Sequence, residues 1–229
     1  MWNSGTEYHN YKNFFSIVLF ALVDADYNFM YVDVGCQGRI SDGGVFKNTN
    51  LYKKLENNTL NIPAPSALQV PYSLKIPYMV LGDKAFALNE YTMRPFEGNP
   101  ERIFNYRHSR ARRVVENAFG ILSAVFRVLR KPILLEPKKA SKVVLTTIYL
   151  HNFLRKGITS RQTYTPVGTF DTEIDGEIIS GRWRNDQEMT SLLPIRNIPR
   201  KTKEHIKNIR LHLARHFVLN DAILWQNNY

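Results

Sequence analysis

Two apolar runs with a short polar break between them constrain this fold more than any other feature. Phe14 to Val23 is apolar on both alternating faces apart from Ser16, the pattern of a strand covered on both sides rather than one wetted on one face. Phe29 to Val34 repeats that character after Asp24-Ala-Asp-Tyr-Asn28. The pair reads as a hairpin whose first strand is central to a sheet. The first run is about half the length needed to cross a bilayer, and no basic-then-apolar leader follows Met1, so neither a membrane anchor nor a secretion signal is expected.

The rest of the chain alternates between helical and extended character. Val45, Leu51, Tyr52 and Leu55 predict a short helix, and the four prolines between 59 and 77 predict a loop. Tyr78 to Gly82 is a brief strand with Asp83 just past its end, where open sheets of alternating strands and helices place ligands. From Phe104 onward, Val115, Ala118, Phe119, Leu122, Val125, Phe126 and Leu129 follow the spacing of one buried helical face. Asn105, His108, Arg112 and Glu116 form a polar stripe opposite. Residues 138–156 predict a second helix, 159–200 an exposed polar arm, and 201–219 a last basic amphipathic helix. The expected organisation is therefore a domain over 1–157, an arm over 158–200, and a basic helix with its tail over 201–229.

Charge narrows the choice of partner. Thirty-one Lys and Arg against twenty Asp and Glu leave +11 and a pI near 9.7, which favours a polyanion, nucleic acid first, over an acidic metabolite. Eleven of those cations, against three acids, lie between Glu101 and Lys142. Phosphate backbones are bound by such concentrated charge, while an ordinary solvated basic face is the plainer explanation. The single cysteine, Cys36, excludes an internal disulfide and a cysteine-based zinc site. The chain reads as intracellular. No histidine pair has zinc-type spacing with a third ligand, and no glycine loop fits a nucleotide.

The acids supply the chemical hypothesis. Magnesium or manganese takes hard oxygen ligands from a few carboxylates, and paired ions serve phosphodiester cleavage. Asp83 at a strand end and Glu116 on a later helix qualify as candidate catalytic and metal-binding residues. The alternative is that Asp83 opens a turn and Glu116 pairs with Arg112 or Arg113 at helical spacing.

Several segments, taken in order, resemble the nuclease domain of PIF/Harbinger-type transposases and the host genes derived from them. They are Tyr8-His-Asn-Tyr-Lys-Asn-Phe-Phe-Ser-Ile-Val-Leu, Ala21-Leu-Val-Asp-Ala-Asp-Tyr-Asn-Phe, Gly38-Arg-Ile-Ser-Asp-Gly-Gly-Val-Phe46, Leu81-Gly-Asp83-Lys-Ala-Phe86 and Phe104 to Gly120. Leu150-His-Asn152, Trp183-Arg-Asn185 and Trp225-Gln226 extend the likeness downstream. The resemblance implies an α/β, ribonuclease-H-like mixed sheet flanked by helices, a divalent metal (Mg or Mn), and an Asp-Asp-Glu triad that cuts DNA. By position, Asp83 matches the second aspartate and Glu116 the glutamate. The family's first aspartate lies on an Asp-Gly-Thr-His-like strand upstream of where this sequence begins, so the first central strand is expected to be missing and the chain alone to be inactive. Arg107, Arg110, Arg112 and Arg113 are the expected nucleic-acid contacts. A separate Myb-like DNA-binding partner and nuclear residence follow from the same resemblance, and a non-catalytic DNA- or protein-binding module is the competing expectation.

Overall fold

A computed structural model describes residues 8–10, 13–38, 42–68, 74–98, 101–185 and 201–228. In chain order the elements are β1 (Ile17–Val23), β2 (Phe29–Gln37), α1 (Asp42–Asn48), α2 (Asn50–Glu56), β3 (Ser66–Ala67), β4 (Lys75–Ile76), β5 (Val80–Leu81), β6 (Thr92–Met93), α3 (Arg102–Val125), α4 (Pro137–Lys156), α5 (Ile158–Tyr164), β7 (Thr172–Ile174), β8 (Glu177–Ile179) and α6 (Glu204–Leu219). The chain divides into two compact units, Met1–Val45 with Arg113–Arg196, and Phe46–Arg112 with Asn197–Tyr229.

The fold is mixed α/β, and its described strands form four two-stranded sheets, of which only β5 with β6 is parallel. The single mixed sheet implied by the resemblance is not assembled among these residues. Two-residue ladders such as β5–β6 satisfy few backbone groups, and packing around them must hold them in place.

In the first unit, β1 and β2 form the expected hairpin, with Leu19 opposite Val34 and Ala21 opposite Val32. Asp24 organises the turn: its Oδ1 accepts the backbone N–H groups of Asp26 at 2.9 Å and Asn28 at 2.8 Å. Tyr27 sits in the left-handed region at φ 64°. Pro137 opens α4, where its missing N–H costs nothing. The helix then buries Val144 and Ile148 with Phe29, Ala118, Leu122 and Leu129. Three polar side chains of α4 hold the turn's backbone. Asn152 accepts from the Phe29 N–H and donates to the Phe29 carbonyl, both at 2.9 Å. Arg155 Nε donates to the Asp26 carbonyl at 3.0 Å. His151 lies 2.8 Å from both the Tyr27 carbonyl, through Nε2, and the Tyr164 hydroxyl, through Nδ1.

In the second unit, α3 supplies Phe104 and α6 supplies Ile206 and Ala214 to a core shared with Leu88 and Met93. Ile209, Leu213 and Phe217 pack against it, as the periodicity of 201–219 predicts. Asn105 fastens the start of α3, its Oδ1 accepting from the Phe96 N–H at 2.7 Å.

Two details of α3 depart from the sequence pattern. His108, expected on the polar stripe, is buried with Nε2 3.3 Å from the Met93 carbonyl. Val125, expected inside, is 47% exposed because α3 ends there. The ending has a cause: Arg130 donates from Nε to the Ser123 carbonyl at 3.1 Å and from Nη2 to the Ala124 carbonyl at 2.7 Å. Those carbonyls have no intrahelical donor, and a guanidinium is a good cap for them.

His151 gives the fold a pH dependence. It is fully buried, and burial, assisted by the charge of Arg155 and opposed by the Tyr27 carbonyl, pulls its pKa from 6.5 to about 4. The ring is neutral at pH 7, with the proton on Nε2 facing the carbonyl. Between those two pKa values the unfolded chain binds a proton that the folded chain refuses, so stability rises with pH there. This contribution is complete above the unfolded pKa and is lost on acidification by up to about 3 kcal/mol, levelling off below about pH 4. Urea unfolding across this window should show the loss, and His151→Gln should remove most of it.

Candidate active site

Asp83 lies in the second unit. Gly82, which precedes it, is held by its N–H on the Met93 carbonyl at 2.8 Å, and a Cβ there would press on Phe86 and Thr92. The chain then turns: Asp83 Oδ1 accepts the Ala85 N–H at 2.8 Å, and its carbonyl accepts the Phe86 N–H at 3.2 Å. Asp83 thus opens a turn, as the plainer reading expects. Its Oδ2 is 3.5 Å from Arg112 Nη1. Arg107 donates to the Asp221 carboxylate at 2.6 Å and to its carbonyl at 3.1 Å. The Arg110 guanidinium is 5.6 Å from the Trp225 ring centroid, and the Trp225 indole N–H donates to the Tyr106 hydroxyl at 2.8 Å.

Glu116 lies in the first unit, and its surroundings are built by residues 165–185. Arg113, one turn before it, donates to Glu173 at 2.8 Å, and the Glu173 side chain is only 3% exposed. Asn117, next to Glu116, accepts from the Asp171 N–H at 2.9 Å and from the Trp183 indole N–H at 2.7 Å. The Asp171 carboxylate is fully buried and takes three donors: the Gly181 N–H at 2.8 Å, Arg184 Nε at 2.9 Å and Arg184 Nη2 at 2.6 Å. Burial alone would raise its pKa, but the hydrogen bonds from Arg184 and Gly181 and the charges of Arg184 and Arg113 outweigh it, and the net shift is downward. Arg184 also places Nη2 3.9 Å from the Glu116 carboxylate.

Polarity and scattered Gly and Pro suggest an exposed arm for 159–200; most of 159–185 is exposed, yet Asp171, Glu173 and Trp183 tie the segment to α3. Residues 158–185 form α5, the β7–β8 hairpin and a 3₁₀ turn at Arg182–Asn185, while 186–200 lie outside the described residues. The acids and arginines that made the stretch look solvated neutralise one another against α3. A signal for the hairpin is visible in hindsight: Asp175-Gly176, with φ of 50° and 90°, is the dipeptide of a two-residue turn requiring left-handed backbone. Asn117, Asp171 and Arg184 had no comparable signal, since their roles depend on partners dozens of residues away.

The eleven cations between 101 and 142 therefore divide. Arg107, Arg112, Arg113 and Arg130 pair with acids or carbonyls inside the protein, and Arg110 lies against an aromatic ring. Arg102, Arg127, Lys131, Lys138, Lys139 and Lys142 stand exposed, Lys139 within 3.6 Å of the Glu136 carboxylate. As to metal, no group of three or more His, Cys, Asp or Glu among the described residues is placed to hold an ion. Asp83 and Glu116 each face a guanidinium instead. Among the described residues, Asp83 and Glu116 with these neighbours do not fit a divalent cation.

Comparison with known proteins supports the resemblance. The family model described as DDE superfamily endonuclease matches residues 2–152, a span that contains both Asp83 and Glu116. A curated protein of Arabidopsis thaliana, "Protein ALP1-like", is 28% identical over 149 residues, which cover 62% of this chain and 36% of that protein. The match thus takes in little more than a third of that relative's length. No solved structure matches the chain.

The wall beside Glu116 can be tested through Gly120, where any Cβ would fall inside van der Waals contact of the Trp183 indole. Gly120→Ala should lower stability by about 1–3 kcal/mol through overpacking, read as a reduced urea midpoint. In a Trp183→Ala background the same change should cost far less. Additive losses would mean that the indole does not pack on α3.

Proposed function

The chain belongs to the DDE superfamily endonuclease family, and from that membership we propose that it is a Harbinger-type, transposase-derived DNA endonuclease domain of ribonuclease-H-like fold that grips duplex DNA by its phosphates. The observation that carries this reading is the matched span, which takes in Asp83, Glu116 and the basic helix α3 together. The net charge of +11 agrees with it. In this chemistry a bound Mg or Mn ion activates water and stabilises the leaving oxygen. Asp83 and Glu116 are the family's carboxylates by position. With their guanidinium neighbours at 3.5 and 3.9 Å, and with no third ligand beside them among the described residues, they favour a chain that binds DNA without cutting it by itself.

Between 101 and 142, contact with DNA falls to the cations left at the surface, Arg102, Arg127, Lys131, Lys138 and Lys142, which bind backbone phosphates without reading base sequence. Arg107, Arg110, Arg112 and Arg113 would contribute to the field rather than to direct contacts, because their guanidinium groups already have partners. Target choice would rest with a separate Myb-like DNA-binding partner, and the working compartment would be the nucleus.

Binding and cleavage can be measured on one duplex. The chain should bind with an affinity that falls steeply as salt rises, and Glu116→Gln should leave that affinity unchanged or raise it, since a negative charge is removed. No nicking should appear with Mg or Mn. Cleavage that disappears in Asp83→Ala would overturn the non-cutting assignment, and absence of binding at low salt would overturn the DNA assignment itself.

A further inference from the structure

A cavity of about 350 Å³ in the first unit is lined by Asp26, Asn28, Asn152, Arg155, Lys156 and Arg161. None of these residues has a part in the chemistry assigned to Asp83 and Glu116. Arg155 is buried and held on several sides. Its Nε donates to the Asp26 carbonyl at 3.0 Å and its Nη1 to Thr165 Oγ1 at 2.9 Å. Its guanidinium carbon lies 5.3 and 5.2 Å from the ring centroids of Tyr27 and Phe170, which stack on each other at 3.9 Å. No described residue accepts a hydrogen bond from its remaining nitrogen, Nη2.

Two further cations line the same space. Lys156 and Arg161 are exposed, and among the described residues neither makes an ion pair. Both amide atoms of Asn152 are engaged with Phe29, and Asp26 is the only carboxylate among the described residues that line the cavity. After burial, the largest influence lowering the Arg155 pKa is the charge of Arg161, so the two guanidinium groups feel each other. Cations at the end of α4 also complement its dipole. That accounts for their sign, but not for three of them facing one cavity with a single acid.

We propose that this cavity is a phosphate-binding site in which Arg155 is the fixed donor and Lys156 and Arg161 complete the positive charge around the oxyanion. A locked guanidinium with an unused N–H edge is well suited to phosphate oxygens, because little of its freedom remains to be lost on binding. On the DNA reading above, which this part of the inference rests on, the phosphate belongs to the nucleic-acid backbone. A free phosphate would satisfy the same groups.

The test compares the whole chain, a Lys156→Gln/Arg161→Gln variant, and a Lys53→Gln/Lys54→Gln variant that removes the same charge from the exposed face of α2. Arg155 is left intact because it supports the turn. Duplex binding is read by fluorescence anisotropy across a salt series, and inorganic phosphate binding by broadening of its ³¹P resonance. The cavity variant should lose about tenfold in DNA affinity and reduce the salt slope by about one to two, well beyond the control, and it should abolish the phosphate broadening. Broadening that depends on the cavity, with DNA binding unaffected, would keep the site and assign it to a free phosphate. Equal losses in the two variants without cavity-dependent broadening, or no effect on either ligand, would overturn the inference. If the unmodified chain binds no DNA yet broadens phosphate through these residues, the DNA reading fails and the site stands.

Discussion

The hairpin turn at 24–29 is the constraint on which the first unit depends, because its backbone polar groups cannot all be satisfied locally. A turn packed against a helix hides carbonyls and N–H groups from water, and each must find a partner. Asp24 caps two N–H groups from within the turn. The rest is done by α4, where His151, Asn152 and Arg155 take the carbonyls of Asp26, Tyr27 and Phe29 and the N–H of Phe29. This arrangement fixes where Phe29 enters the core with Val144 and Ile148. It also fixes Arg155, and through it the cavity at the end of α4. Packing and polar satisfaction therefore act at the same point in the sequence, residues 148–155.

A second constraint is charge matching inside the protein. Burying Glu173 and the Asp171 carboxylate is unfavourable unless each meets a cation with good geometry, and Arg113 and Arg184 provide it. Segment 165–185 is thereby held against α3 with Asn117 and Trp183 as neutral fasteners. Glu116 is affected as a consequence, since the arginine that neutralises Asp171 also faces it. The surroundings of the candidate carboxylate are set by the needs of a neighbouring buried acid.

What the sequence made legible follows from how local each signal is. The hairpin, α3, α4 and α6 were readable because alternation and three-four spacing are properties of adjacent residues, and Asp83 past β5 followed from the short apolar run before it. The C-terminus of α3 was not readable, since it depends on Arg130 reaching back to Ser123 and Ala124. Nor was the burial of His108, whose partner is the Met93 carbonyl. The inward packing of Asp171, Glu173 and Trp183 in the otherwise mostly exposed segment after α5 was not readable for a related reason. Composition reports how much charge a stretch holds, and pairing across 54 to 66 residues, as between Asn117 and Asp171 or Trp183, leaves no trace in composition. Family likeness carried the candidate carboxylates, which spacing alone left open to the turn and ion-pair alternative.

The same logic explains why a count of cations is a poor map of a nucleic-acid surface. Between 101 and 142 the arginines are mostly taken inward, because a planar guanidinium can cap carbonyls, bind carboxylates through two nitrogens and lie on an aromatic ring. Lysine offers a strongly hydrated point charge on a flexible stem, and Lys131, Lys138 and Lys142 remain in water. Arg107, Arg110, Arg112 and Arg113, the densest basic cluster in the sequence, are thus not interchangeable with those lysines as phosphate contacts. For a polyanion approaching this chain, long-range attraction depends on the full +11, while close contacts depend on whichever donors the fold has left without a partner. Those two sets of residues overlap only in part, and only the second can position a phosphate.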